Sequence, residues 1–225
     1  MTRWHTPHVA QVPSAVVRLS APPGVAALLD DWAAAVQLPR EEALEILLRS
    51  RLATDPADPA GVLWQSLSDG EVQTVDEVSR SLAEADVTDL IVGVRMGPAR
   101  PDATDTQAPW PRAGLGVDLA DSPEHAWPQI RGLWRMKMQP QLLVGLRLGW
   151  PGWVYRVDRW ETHAESGRSY AVGGHAIMSD GRQIDMQTGH VSSAADADVA
   201  AVRVLQSRPI RFSVRSVNPV VRLTF

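Results

Sequence analysis

Residues 149–160, GWPGWVYRVDRW, set three tryptophans, one tyrosine and two arginines into twelve positions. Two kinds of chemistry draw on such a set. Aromatic faces beside guanidinium groups stack on nucleobases and pair with phosphate, whereas the same rings, the largest apolar side chains available, also fill cores. Both readings stay open here, and for any single tryptophan packing is the commoner use. The candidates for base stacking are Trp134, Trp153, Tyr155 and Trp160, with Arg135, Arg156 and Arg159 as phosphate partners.

Catalytic patterns are missing from the chain. It holds no G-x-S-x-G elbow, no glycine-rich phosphate loop and no G-x-G-x-x-G. Its six histidines include no H-x-x-x-H or H-E-x-x-H spacing, and zero cysteines exclude disulfides, thiolate zinc sites and cysteine nucleophiles. Lys137, the only lysine, lies in no E-x-K arrangement of the nuclease kind. Asp158, Glu161 and Asp185 form a site only if the fold brings them together. No catalytic residue, metal ligand or cofactor is therefore assigned, and a small metal-dependent nuclease or hydrolase stands as an alternative.

The net charge of -4 conceals an asymmetry. Residues 131–225 carry 13 basic against 7 acidic side chains, a balance of +6, while the first 130 residues balance at -10. A basic half suits an anionic partner, although it also simply offsets an acidic neighbour. The first residues lack the apolar core of a signal peptide, and no stretch approaches a membrane helix. The expectation is a soluble, cytoplasmic protein without a membrane partner.

Elements must position these side chains. Ala15, Val17 and Leu19 alternate with Ser14, Val16, Arg18 and Ser20 as in a short strand with one buried face, which Pro22 and Pro23 end. A helix follows with Val25, Leu28, Leu29, Trp32 and Val36 on one face; after QLPR a second has Ala43, Leu44, Leu47 and Leu48 inward. One strand and two helices in so short a unit cannot bury their own apolar faces.

The VVRLS strand, the proline-containing entry to the first helix and LPREEAL at the second resemble the ribbon-helix-helix family. That resemblance implies a homodimer that lays paired strands in the DNA major groove. Ser14, Val16, Arg18 and Ser20 would face the groove, and the backbone near Arg40 would approach a phosphate. Pro39 stands where the family has a capping Ser or Thr, and Glu41 adds a negative charge there.

Beyond a turn-rich break at 54–61, TVDEVSRSLAEAD (74–86) reads as an amphipathic helix and DLIVGVRMG (89–97) as a buried strand. Either end of the chain could own residues 60–97. The proline-rich stretch 98–114 reads as a linker or long surface loop. From 115 onward the signals are short strands: a hairpin turning at GWPG, a second at ESGR, a third at Asp180-Gly181, then a helix over 193–207 capped by Ser193. GLWRM, VYRVDRW, GRSYAVGG and NPVVRL are together similar to bacterial barrels of the PUA and EVE kind, a similarity that implies binding of RNA or modified DNA bases.

The expected fold is thus α+β: a ribbon-helix-helix-like dimerisation unit (1–55), a connecting region (56–114) and a small basic, tryptophan-rich, barrel-like β domain (115–225). The expected function is nucleic-acid binding, with DNA favoured, by a dimeric regulator or a reader associated with mobile elements or defence. A protein-interaction module with a tryptophan-rich face is the other alternative.

Overall fold

Leu142–Arg147 is an unbroken apolar run that ends in one arginine, and all six residues are buried. Such continuity, in place of alternation, is what a strand covered on both faces requires. In the computed structural model, which describes residues 23–36, 38–52, 63, 65–67, 69, 71–100, 108–112, 115–212 and 219–224, this strand lies inside a mixed sheet. The sheet strands are β2 (Ile91–Met96), β3 (Gly132–Trp134), β4 (Leu142–Arg147), β5 (Trp150–Thr162), β6 (Ser169–Ile177), β7 (Arg182–Asp185), β8 (Val191–Ser193) and β10 (Val220–Arg222). Their order is β10-β2-β4-β5-β6-β7-β8, with β3 on β6; β1 (Gln73–Thr74) and β9 (Ile210–Arg211) form a separate parallel pair. The fold is α+β, as expected. The described strands follow an open path that does not close into a barrel.

Helices cover both faces. α3 (Val75–Glu84) begins at a capping box in which Thr74 and Glu77 exchange hydrogen bonds, and Val78 and Leu82, four residues apart, point inward. With α5 (Asp196–Leu205) it packs on Leu142, Val144, Leu146 and Val154. On the opposite face α4 (Pro123–Ile130) sets Ala126, Trp127 and Ile130 against Leu143, Trp153, Tyr155 and Val157. The alternation along β5 follows: odd residues 153–157 meet α4, while Val154 meets the other core.

Several expectations need correction. β2 pairs in parallel with β4 and antiparallel with β10, so residues 91–96 belong inside the sheet and a boundary at 115 would cut through it. The first hairpin turns at Leu148-Gly149, both with positive φ, and β5 already begins at Trp150; Gly149 is needed because a Cβ there would stand 2.6 Å from the Ile210 carbonyl oxygen. Ser193 lies in β8; the cap of α5 is Ala195, which makes no side-chain capping bond. The turns at 163–168 and at Asp180-Gly181 fall where expected.

α1 (Pro23–Val36) and α2 (Arg40–Leu52) pack on each other and on the sheet rim, where Ile46 joins Leu63, Leu67, Leu119 and Leu148. Ala43 and Ile46 form the buried line of α2, whereas Leu28 and Leu48, expected inward, are 70% and 39% exposed. Beneath α2 sits Arg147, 1% exposed, with Glu45 at 2.5 Å and Glu42 at 3.5 Å. The expected strand over 14–20 lies outside the described residues.

Candidate functional site

At the ends of the stretch expected to be a linker or long surface loop, isolated bridges join Pro98 to Val117 and Arg100 to Leu115. Arg100 and Leu115 exchange backbone hydrogen bonds, and the Val117 N–H donates to the Gly97 carbonyl. Gly116, with φ at 75°, permits the approach: a Cβ there would meet the Pro98 carbonyl oxygen at 2.1 Å. This excursion brings Arg95 at the end of β2, Arg100 and Arg112 to one cavity of about 230 Å³. Trp134 of β3 and Gln129 of α4 complete its lining, and none of the described lining residues is acidic. Gln129 is buried and its Oε1 accepts no hydrogen bond.

Next to the cavity stands Trp110, whose Nε1 donates to the Pro128 carbonyl. The Arg131 guanidinium carbon lies 4.3 Å from its ring centroid and that of Arg112 5.4 Å, both within cation–π range. Burial lowers the pKa of Arg131, yet a guanidinium stays charged at any physiological pH. Tyr170 lies 5.3 Å from Trp110, ring to ring, and donates to Glu161, which also accepts from Arg159. The Tyr170 hydroxyl, and then Arg159, hold the Glu161 carboxyl below its ordinary range. Among the described residues the result is a rim of arginines and aromatics, with the acid Glu161 engaged by Tyr170 and Arg159.

The residues proposed from sequence divide sharply. Trp134 lines the cavity, with its Nε1 donating to the Ile130 carbonyl, and Arg135 beside it is exposed. Arg159 is exposed at the Glu161 side. Trp160 is half-buried against the α4 core and donates to the Pro140 carbonyl. Trp153 and Tyr155 are interior: the first donates to the Asp121 carbonyl, the second to the Pro123 carbonyl, and the Tyr155 ring meets Trp127 at 4.8 Å. Complete burial raises the Tyr155 pKa well above its ordinary value. Tyr155 cannot reach a base without opening the core, whereas Trp153, 4% exposed, lines a cavity of about 430 Å³ with Trp150.

Arg156 is withdrawn for another reason. It projects to the α5 face, where Asp198 and Asp89 accept from it. Burial alone would lower its pKa, but those two carboxylates outweigh burial and raise it. An arginine neutralised twice offers little to phosphate. Arg40 is exposed at the start of α2 and pairs with Asp30 at 3.1 Å; Ser14, Val16, Arg18 and Ser20 lie outside the described residues.

Of the carboxylates weighed for catalysis, Asp158 and Asp185 both flank His175, which pairs with Asp185 across β6 and β7, while Glu161 stands apart. Asp158 lies 3.3 Å from His175, Asp185 accepts from the backbone of Gln187 and Thr188, and Glu161 is held by Tyr170. Among the described residues no group of three or more His, Cys, Asp or Glu could hold a metal ion. Among the same residues no helix is long and apolar enough to cross a membrane.

Arg95, Arg100 and Arg112 were not singled out from sequence. The available signal was three arginines in eighteen residues of a stretch whose prolines restrict its backbone. Compared with protein-family models, curated proteins and solved structures, the chain matches none, so its function has to be argued from this geometry.

Proposed function

We propose that the protein binds nucleic acid, with DNA favoured, through the arginine-rimmed cavity at the β2–α4–β3 corner. The observation that carries this reading is the meeting of Arg100 and Arg112 at one small cavity beside the Trp134 indole. Guanidinium groups grip phosphate oxygens in a planar fork, and an indole face accepts a base without regard to its sequence. Gln129 adds an amide, the group that reads base edges by paired donor and acceptor. The cavity is small for a drug-sized ligand but suits one base or one phosphate of a longer chain.

The likeness of α1 and α2 to a ribbon-helix-helix pair favours DNA over RNA and a homodimer over a monomer, and exposed Leu28 and Leu48 are suitable contact residues for a second copy. The cysteine-free composition suits a cytoplasmic location.

The test is retention of duplex DNA by the full chain across a salt series. Arg100→Gln removes an exposed guanidinium and should flatten the log–log salt dependence by about 0.9 for one lost phosphate contact. Trp134→Leu should weaken binding to single-stranded DNA by about 1–3 kcal/mol. No retention at low salt, or an unchanged slope in an Arg100→Gln/Arg112→Gln double variant, would refute the assignment.

A further inference from the structure

A second cavity, of about 380 Å³, lies between the start of α2 and the edge where β2, the β4–β5 turn and β9 meet. Its walls are mostly apolar: Leu38, Leu67, Leu146, Leu148, Ile210 and Phe212 all line it. Two cations interrupt them. Arg95 places its guanidinium carbon 5.8 Å from the Phe212 ring centroid, and Arg211 follows Ile210 in β9. The Arg211 Nε is buried without a hydrogen-bond partner. The residue as a whole is half-buried, but a buried N–H left unmet is costly, and a cavity beside it gives an acceptor somewhere to sit.

We propose that this cavity is a binding site for a small monoanion with an apolar body, of which a medium-chain carboxylate is the simplest example. The apolar lining asks for a hydrocarbon body, since a bare inorganic ion would leave those walls unfilled. The charge follows from Glu42, which lines the same cavity. Glu42 is paired with Arg147 at 3.5 Å, and an added anion in the cavity meets the repulsion of its carboxylate. A dianion would meet that repulsion twice over, whereas a single carboxylate gains Arg211 at least cost. The volume falls at the small end of ligand pockets, which limits the body to a short chain or a single ring. Because the cavity floor is sheet and its roof is the first turn of α2, occupancy ties the helical pair to the β domain.

Titration of the full chain with octanoate, octanol and inorganic phosphate tests the assignment, with binding read by calorimetry and by the thermal midpoint. Octanoate should bind saturably and raise the midpoint, while octanol and phosphate each bind at least tenfold more weakly. Arg211→Gln should weaken octanoate tenfold or more and leave octanol unchanged. In the unaltered chain the Arg211 Nε–H resonance should shift with octanoate and stay fixed with octanol, a readout that stands even if the variant folds poorly. Equal binding of octanoate and octanol, phosphate binding as tight as octanoate, or an Arg211 resonance that ignores octanoate would overturn the proposal. No arm contains nucleic acid, so the outcome is independent of the DNA-binding reading.

Discussion

Arg147 offers a measurable contest between desolvation and attraction. Its side chain is 1% exposed, and only Nη2 makes a hydrogen bond, to Glu45 at 2.5 Å; Glu42 stands at 3.5 Å, an ion pair too long for a good bond. Each carboxylate side chain is 30% exposed. Removing both acids in Glu42→Gln/Glu45→Gln leaves a buried guanidinium with no counterion, a loss in the range of about 3–5 kcal/mol for a broken buried pair. The partial exposure of the acids places the expected cost near the lower bound, about 3 kcal/mol. Removing the arginine in Arg147→Met leaves carboxylates that can rehydrate and a side chain that fills the same track, so the expected loss is below about 1 kcal/mol. The double replacement is required because Glu45→Gln alone leaves Glu42 to take over. Hydrogen exchange at the α2 amides of Ala43 and Ile46 reads the docking of the helix directly. The acid double variant should speed exchange roughly a hundredfold and Arg147→Met less than tenfold. If Arg147→Met frees α2 more than the double variant does, attraction rather than the burial cost governs the contact, and the reasoning fails.

Three further outcomes are expected. The folded-state pKa of Glu42 is raised, so the folded chain retains a proton that the unfolded chain has lost; stability therefore falls as pH rises from the ordinary carboxylate range to the folded value, and is level above it. Urea unfolding against pH should show that decline, and Glu42→Gln should flatten it. Trp153→Ala should cost about 3–5 kcal/mol in unfolding free energy, because it empties a core site; a normally stable variant with a selective DNA defect would contradict its placement. Gly116→Ala forces a side chain into positive φ and onto the Pro98 carbonyl, so it should destabilise by more than about 1 kcal/mol and displace Arg100, visible as lost DNA retention.

Local signals were legible in the sequence where one segment held all of its cues. Thr74 with Glu77, then Val78 and Leu82, spell a capped amphipathic helix within nine residues. The alternation in β5 likewise separates Trp153 and Tyr155 from Val154 and Arg156. Alternation does not say which face is wet, and here neither is, because α4 covers one and α5 the other. Arg156 reads as a free cation until Asp89 and Asp198 arrive from distant segments. Arg147, in LLVGLRL, has no local mark of burial; α2, about a hundred residues earlier, supplies its lid. The candidate site escaped for the same reason. Its arginines meet only because residues 115–117 lie against 97–100, a closure held by a few backbone bonds and Gly116 rather than by any hydrophobic period.

The position of β2 bears on how the chain is made. Val94 pairs with Val220, the Ile91 N–H donates to the Thr224 hydroxyl, and the fully buried Leu223 packs in the core on the β2 side of the sheet. A ribosome delivers β2 long before these partners. Throughout that interval a strand reading IVGVRM presents a bare, apolar edge, the arrangement most prone to pair with a neighbouring nascent chain. Synthesis arrested before residue 219 would release a sheet that holds all its other described strands yet is open on that side, so truncated products should be insoluble or held by chaperones.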